Sequence, residues 1–163
     1  MFGKTADQLS QILAVLILDD KGDRIAIYYS GIARRLDVFS TEELQRAFET
    51  RIVATGRKSG VRLNQAEVLT YNDYTVLFRY LGDSSIIVIG DPATNEVLIS
   101  VFAETLYDVL TSLISEKLTR ALLFKRLDQV FLTMDEMIEA GCINELDKKS
   151  IISRVTMEMT TLG

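Results

Sequence analysis

Histidine and tryptophan are missing from the 163 residues, and proline and cysteine occur once each. Without histidine the chain lacks the commonest general base and the commonest metal ligand. The single cysteine, Cys142, excludes an internal disulfide and favours a reducing compartment. With no imidazole to activate it, Cys142 reads as a small half-buried residue rather than a reactive thiol. Long apolar runs are also absent. The longest, Ile12 to Leu18, suits a strand and falls well short of the roughly 20 residues a membrane span requires. No glycine-rich phosphate loop follows a strand, and Gly56-Arg57-Lys58-Ser59-Gly60 lacks Walker spacing. Met1 to Gln11 holds one lysine and no apolar core, so it resembles neither a signal peptide nor a transit peptide. The 23 acidic side chains outnumber the 18 basic ones, and the net charge of -5 would repel a polyanion such as nucleic acid. A soluble cytosolic domain with no catalytic residue, metal site or cofactor is the expectation.

What is present is periodicity. Ile12 to Leu18 is apolar at every position, as in a strand covered on both faces. Asp19-Asp20-Lys21-Gly22-Asp23 supplies a turn, and Arg24 to Tyr29 reads as the returning strand. The acidic turn lacks the spacing and bidentate glutamate of a calcium loop. After a loop with Gly31 and Arg34-Arg35, Ser40-Thr41-Glu42-Glu43 has capping-box spacing, and Phe39 is placed to staple onto Leu44. Leu44, Ala47, Phe48 and Ile52 form the expected stripe of that helix, with Gly56 near its stop.

Three strands are predicted next, Ala66 to Tyr71, Tyr74 to Leu81 and Ser85 to Ile89, joined by Asn72-Asp73 and Gly82-Asp83-Ser84. Beyond Asp91-Pro92 the period becomes helical. From Asn95 to Ser115 the apolar residues cover about half the circumference, wider than the roughly 100° stripe that docking on one sheet needs. A second long helix, about Arg120 to Ala140, is predicted to bury Leu123, Phe124, Leu127, Val130, Phe131, Met134, Met137 and Ile138, with Gly141 as its C-terminal cap. Asp147 is placed to cap a last short helix with the stripe Ile151, Ile152 and Val155.

Hairpin-length connections imply antiparallel pairing, and a strand apolar on both faces requires helices on both sides. The fold class is therefore α+β, in one domain. The predicted organisation is a flexible N-terminal extension over 1–11, a domain over 12–158 and a tail over 159–163. Asp135-Glu136 is an adjacent helical pair whose members diverge by about 100°, so the two cannot converge on one substrate atom. Arg46, Arg51, Arg57, Lys58 and Arg62 give one segment a basic bias. Arg57 and Lys58 suit a helix C-terminus, and the cluster would also suit an acidic partner or anionic lipid.

This order of elements resembles the longin fold used by small subunits of vesicle coats and adaptors. Ala14-Val15-Leu16-Ile17-Leu18-Asp19, Gly22-Asp23-Arg24 and Tyr28-Tyr29 are similar to the opening hairpin of the coatomer zeta family. Phe131-Leu132-Thr133-Met134-Asp135-Glu136-Met137-Ile138, then Gly141, Ile143 and Glu145, resembles a signature shared by zeta chains and adaptin sigma chains. The dozen residues before the first strand, and Asp147, Ile151 and Arg154-Val155 after Glu145, follow the zeta pattern.

The resemblance implies a longin-like, five-stranded antiparallel sheet between one helix and a layer of C-terminal helices. It implies a non-enzymatic subunit with no cofactor that binds the trunk of the gamma-coatomer subunit. Contact with the Golgi membrane and the Arf GTPase would be indirect. A sigma chain selecting dileucine signals, or a longin domain regulating a small GTPase, is the alternative. The expected interface residues are Tyr107, on a flank of the first long helix with Ile99, Ala103 and Ile114, together with Leu122 and Leu132 on the second. The competing reading is that these residues pack the helices against one another.

Overall fold

The computed structural model describes residues 12–60, 62–63 and 65–162. The expected extension over 1–11 lies outside the described residues. Strands β1 (Ile12–Asp19) and β2 (Arg24–Tyr29) form the opening hairpin, and two 3-10 turns lead to helix α1 (Glu42–Lys58). Strands β3 (Ala66–Tyr71), β4 (Tyr74–Tyr80) and β5 (Ser84–Gly90) precede helices α2 (Glu96–Leu113), α3 (Arg120–Lys125) and α4 (Leu127–Met137). The two-residue strands β6 (Ile138–Glu139) and β7 (Cys142–Ile143) and helix α5 (Lys148–Leu162) complete the chain. The main sheet is antiparallel in the order β2-β1-β5-β4-β3.

The turns follow from their residues. Gly22 takes φ +90°, a value that strains any residue with a Cβ, and the Asp19 carboxylate accepts from the amides of Lys21 and Asp23, both at 2.9 Å. Asn72 and Asp73 both have positive φ, 48° and 69°, so the β3-β4 link is a primed two-residue turn that fixes register from Tyr71–Tyr74 outward.

Every residue of β1 is buried because the sheet carries a core on each face. Ile12, Val15 and Ile17 face the C-terminal helices, whereas Leu13, Ala14, Leu16 and Leu18 face α1. Leu13 and Ala14 share a face because the β1-β5 register shifts between Ile12 and Ala14. This bulge interrupts the strict two-residue period. On the α1 side, the rings of Phe39, Phe48, Tyr29, Tyr74 and Tyr71 pack in tilted and edge-on pairs 5.0–5.6 Å apart.

Helix α1 is rotated relative to the expected stripe. Its buried face is Gln45, Phe48, Glu49, Ile52, Val53 and Gly56, while Leu44 and Ala47 are exposed. Polar contacts account for the rotation. The fully buried Glu49 accepts from Arg24 Nε and Nη2, both at 2.8 Å, and from the Tyr29 hydroxyl at 2.7 Å. Gln45 accepts from Arg24 and donates to the Phe39 carbonyl. Glu49 raises the affinity of Arg24 for its proton, and burial pushes the Tyr29 phenol well above its usual range. Phe39 consequently joins the aromatic cluster rather than stapling onto Leu44, and Thr41, not Ser40, caps the helix by accepting from Leu44 N. Gly56 lies in the last turn of α1, near its stop. A Cβ there would come within 2.6 Å of the buried Phe78 ring, so glycine is what lets the helix approach β4.

The second long helix is two helices. Arg126 leaves helical geometry at φ -117° and ψ 33°, and α4 ends at Met137. Gly141 does not cap α4. It forms, with Ala140, the positive-φ turn of the β6-β7 hairpin, where its carbonyl accepts from Ile12 N and its amide donates to the Tyr28 hydroxyl. Asp147 caps α5 as expected, accepting from the Ser150 amide and hydroxyl. This helix extends to Leu162, through most of the stretch expected as a tail.

Candidate partner-binding surface

The three residues expected at an interface come from three helices and are all half-buried. Tyr107 on α2 and Leu132 on α4 pack against the larger core, and the amide of Leu122 is capped by the Thr119 hydroxyl. Tyr107 has a second role: the Arg79 guanidinium stacks over its ring with 3.7 Å between Cζ and the centroid. Of the other flank residues of α2, Ile99 and Ala103 are wholly core, because the sheet side of the helix is broader than a single stripe.

Phe124 and Phe131, expected in the core, are exposed instead. The break at Arg126 puts the two rings on helices with different phase, so a stripe drawn through one continuous helix misplaces them. Arg120 stacks on Phe124 at 4.9 Å and also pairs with the buried Asp19 at 3.3 Å. Burial works against the charge on Asp19. The amides of Asp23 and Lys21 and the Arg120 guanidinium outweigh it and hold the carboxyl below its ordinary value.

Periodicity missed a groove of about 450 Å³ between the β3 edge of the sheet and α2. Ala66 and Val68 of β3, Leu77 and Arg79 of β4, and Glu96, Val97, Ser100, Val101 and Glu104 of α2 line it. Val97, Val101 and Val68 are 69%, 44% and 38% exposed, so an apolar strip lies open to solvent. Arg79 is only 8% exposed, pairs with Glu104, and keeps a buried Nε–H with no acceptor among the described residues. A smaller cavity of about 370 Å³ lies among Leu63, Leu81, Glu116, Lys117 and Leu118.

Nothing in these sites resembles acid/base or metal machinery. Among the described residues there is no cluster of three or more metal-ligating side chains, and no helix is long and apolar enough to cross a membrane. Asp135 is exposed, while the half-buried Glu136 sits 3.6 Å from Arg154. In the basic segment, Arg57 donates to the Asp20 carbonyl, Arg51 stacks on Tyr71 and Arg46 pairs with Glu42. Among the described residues, the α2-β3 groove is an apolar surface open to solvent, and Phe124 and Phe131 are exposed elsewhere.

Comparison with known proteins agrees with this picture. Residues 11–161 match the clathrin adaptor complex small chain family. The chain is 28% identical over 143 residues to coatomer subunit zeta-3 of Oryza sativa subsp. japonica, covering 87% of this chain and 77% of the relative. It is 27% identical over 150 residues to coatomer subunit zeta-1 of Homo sapiens, covering 91% and 78%. Against coatomer subunit zeta of Saccharomyces cerevisiae the identity is 27% over 157 residues, covering 93% and 80%. A chain in a homology model of the full-length AP-3 complex in a stretched open conformation superposes with a TM-score of 0.65 at 15% identity. That match covers 92% of this chain and 94% of the other, and it establishes the shared fold. With a family match along nearly its whole length, and with the longin-like sheet and helical layers in place, the chain belongs to the clathrin adaptor complex small chain family and is a small subunit of the vesicle-coat type.

Proposed function

We propose that this chain is the zeta-type small subunit of a coatomer coat. It binds the trunk of the gamma-coatomer subunit directly and serves retrograde Golgi-to-ER and intra-Golgi vesicle transport. The observation that carries this reading is the similarity to zeta subunits of plants, animals and yeast across about nine-tenths of the chain. In this reading the chain is cytoplasmic and peripheral on Golgi membranes and coated vesicles. Membrane and Arf GTPase are reached through the larger subunit, and the chain carries out no catalysis of its own. Tyr107, Leu122 and Leu132 contribute to the docking patch. The net charge of -5 disfavours a polyanionic partner.

Co-expression with the gamma-coatomer subunit, and separately with large adaptin subunits, tests the reading. Stoichiometric copurification with gamma-coatomer alone is expected. Copurification with an adaptin instead would make the chain a sigma-type subunit.

A further inference from the structure

Strand β3 ends the sheet, and among the described residues no further strand pairs with its outer edge. Tyr71 and Tyr74 close the two-residue turn, so antiparallel alternation gives the β4-directed hydrogen bonds to Tyr71, Leu69 and Glu67. The next pair in that phase follows suit, with Tyr80 N donating to the Gln65 carbonyl. Thr70, Val68 and Ala66 therefore point their amides and carbonyls away from the sheet. The same three residues are exposed, and the side chains of Ala66 and Val68 line the groove against α2. None of the three is charged or proline, the usual devices by which an edge strand is kept from pairing.

The groove wall adds further features. Val97 and Val101 supply apolar surface one turn apart on α2, and Leu77 lines the groove from β4. Arg79 is ion-paired to Glu104 and stacked on Tyr107, and its buried Nε–H has no acceptor among the described residues. Glu104 offsets the charge of Arg79, so Glu96 leaves the lining of the groove net negative.

We propose that an extended segment of the large coat subunit adds to β3 as a sixth strand. This inference rests on the coat-subunit reading above. Alternate residues of the segment are aliphatic and lie in the groove on Val68, Leu77, Val97 and Val101. The flanking charge of the segment is neutral or basic to suit the exposed Glu96. Strand addition supplies main-chain affinity and the groove supplies side-chain selection. A second copy of this chain is disfavoured as occupant, because it would set one Glu96-bearing rim against another.

The test is amide hydrogen exchange on this chain alone and in its copurified complex with the gamma-coatomer subunit. The amides of Ala66, Val68 and Thr70 are expected to slow at least about tenfold in the complex, while those of Glu67, Leu69 and Tyr71, already bonded to β4, change less. Val68→Pro removes an outward amide without touching the β4 ladder, and Val101→Arg fills the groove from an exposed position. Each is expected to weaken the complex about tenfold or more while the isolated domain melts as before. A complex that forms without β3 protection and tolerates both variants overturns the added strand and leaves the coat-subunit reading standing. Failure of the wild-type chain to bind gamma-coatomer removes both. Concentration-dependent protection of β3 in the isolated chain would make the occupant a second copy and overturn the proposal.

Discussion

Replacing Glu49 by alanine removes one partner from a buried charge network. The carboxylate is fully buried and receives two hydrogen bonds from Arg24 and one from Tyr29, so the substitution strands a guanidinium and a phenol. Breaking a buried pair from one side costs about 3–5 kcal/mol. Arg24 keeps 15% side-chain exposure, a contact with Glu42 at 3.5 Å and a hydrogen bond to Gln45, which favours the lower end of that range. A loss of about 3 kcal/mol is a large share of the 5–15 kcal/mol that holds a typical domain together. At roughly 2–4 °C per kcal/mol for a chain of this size, it lowers Tm by about 6–12 °C. Urea and thermal melts of the isolated domain read this directly. A double-mutant cycle with Arg24→Met and Glu49→Leu isolates the pair, and the double variant is expected to regain most of the loss, because an apolar pair leaves no orphaned charge. A loss under about 1 kcal/mol for Glu49→Ala, or a coupling near zero, would refute the view that this network sets the orientation of α1.

Gly56→Ala should destabilise by about 1–2 kcal/mol, although alanine is the better helix former, because overpacking against the Phe78 ring outweighs the propensity gain; a stabilised variant in urea melts would show that the contact relaxes freely. The depressed Asp19 carboxyl contributes stability that is present above its unfolded pKa of about 3.9 and is lost as pH falls through the lower folded value. The stability gap between wild type and Asp19→Asn should therefore narrow in melts taken from about pH 6 to pH 3, and a gap that widens on acidification would contradict the assignment. Leu132→Asp should abolish copurification with gamma-coatomer while costing the isolated domain under about 1 kcal/mol; a loss of several kcal/mol with binding intact would return Leu132 to the core.

The succession of strands and helices along the chain, and the turns between strands, were legible because each has a local cause, whereas the pairing of β1 with β5 that sets the strand order of the sheet was not. The unbroken apolar run Ile12 to Leu18 requires cover on both faces, Gly22 and Asn72-Asp73 supply positive φ, and Asn95 and Asp147 cap the helices that follow them. Family kinship was legible for the same reason, since its motifs are contiguous in the chain. Tertiary structure alone decided which face of α1 is buried, because Arg24 and Tyr29 on β2 draw the polar Gln45 and Glu49 inward, and no period of apolar residues reports that. It also decided the fate of Phe124 and Phe131, whose exposure follows from a break at Arg126 with no proline or glycine to announce it. The groove exists only where β3 ends the sheet beside α2, and Ala66, Val68, Val97 and Val101, scattered over 36 positions of sequence, become one surface through the β3-β4-β5 register and the docking of α2 on the sheet. Local propensity is written residue by residue, whereas an edge, a rotated helix face and a shared surface are properties of how the elements meet.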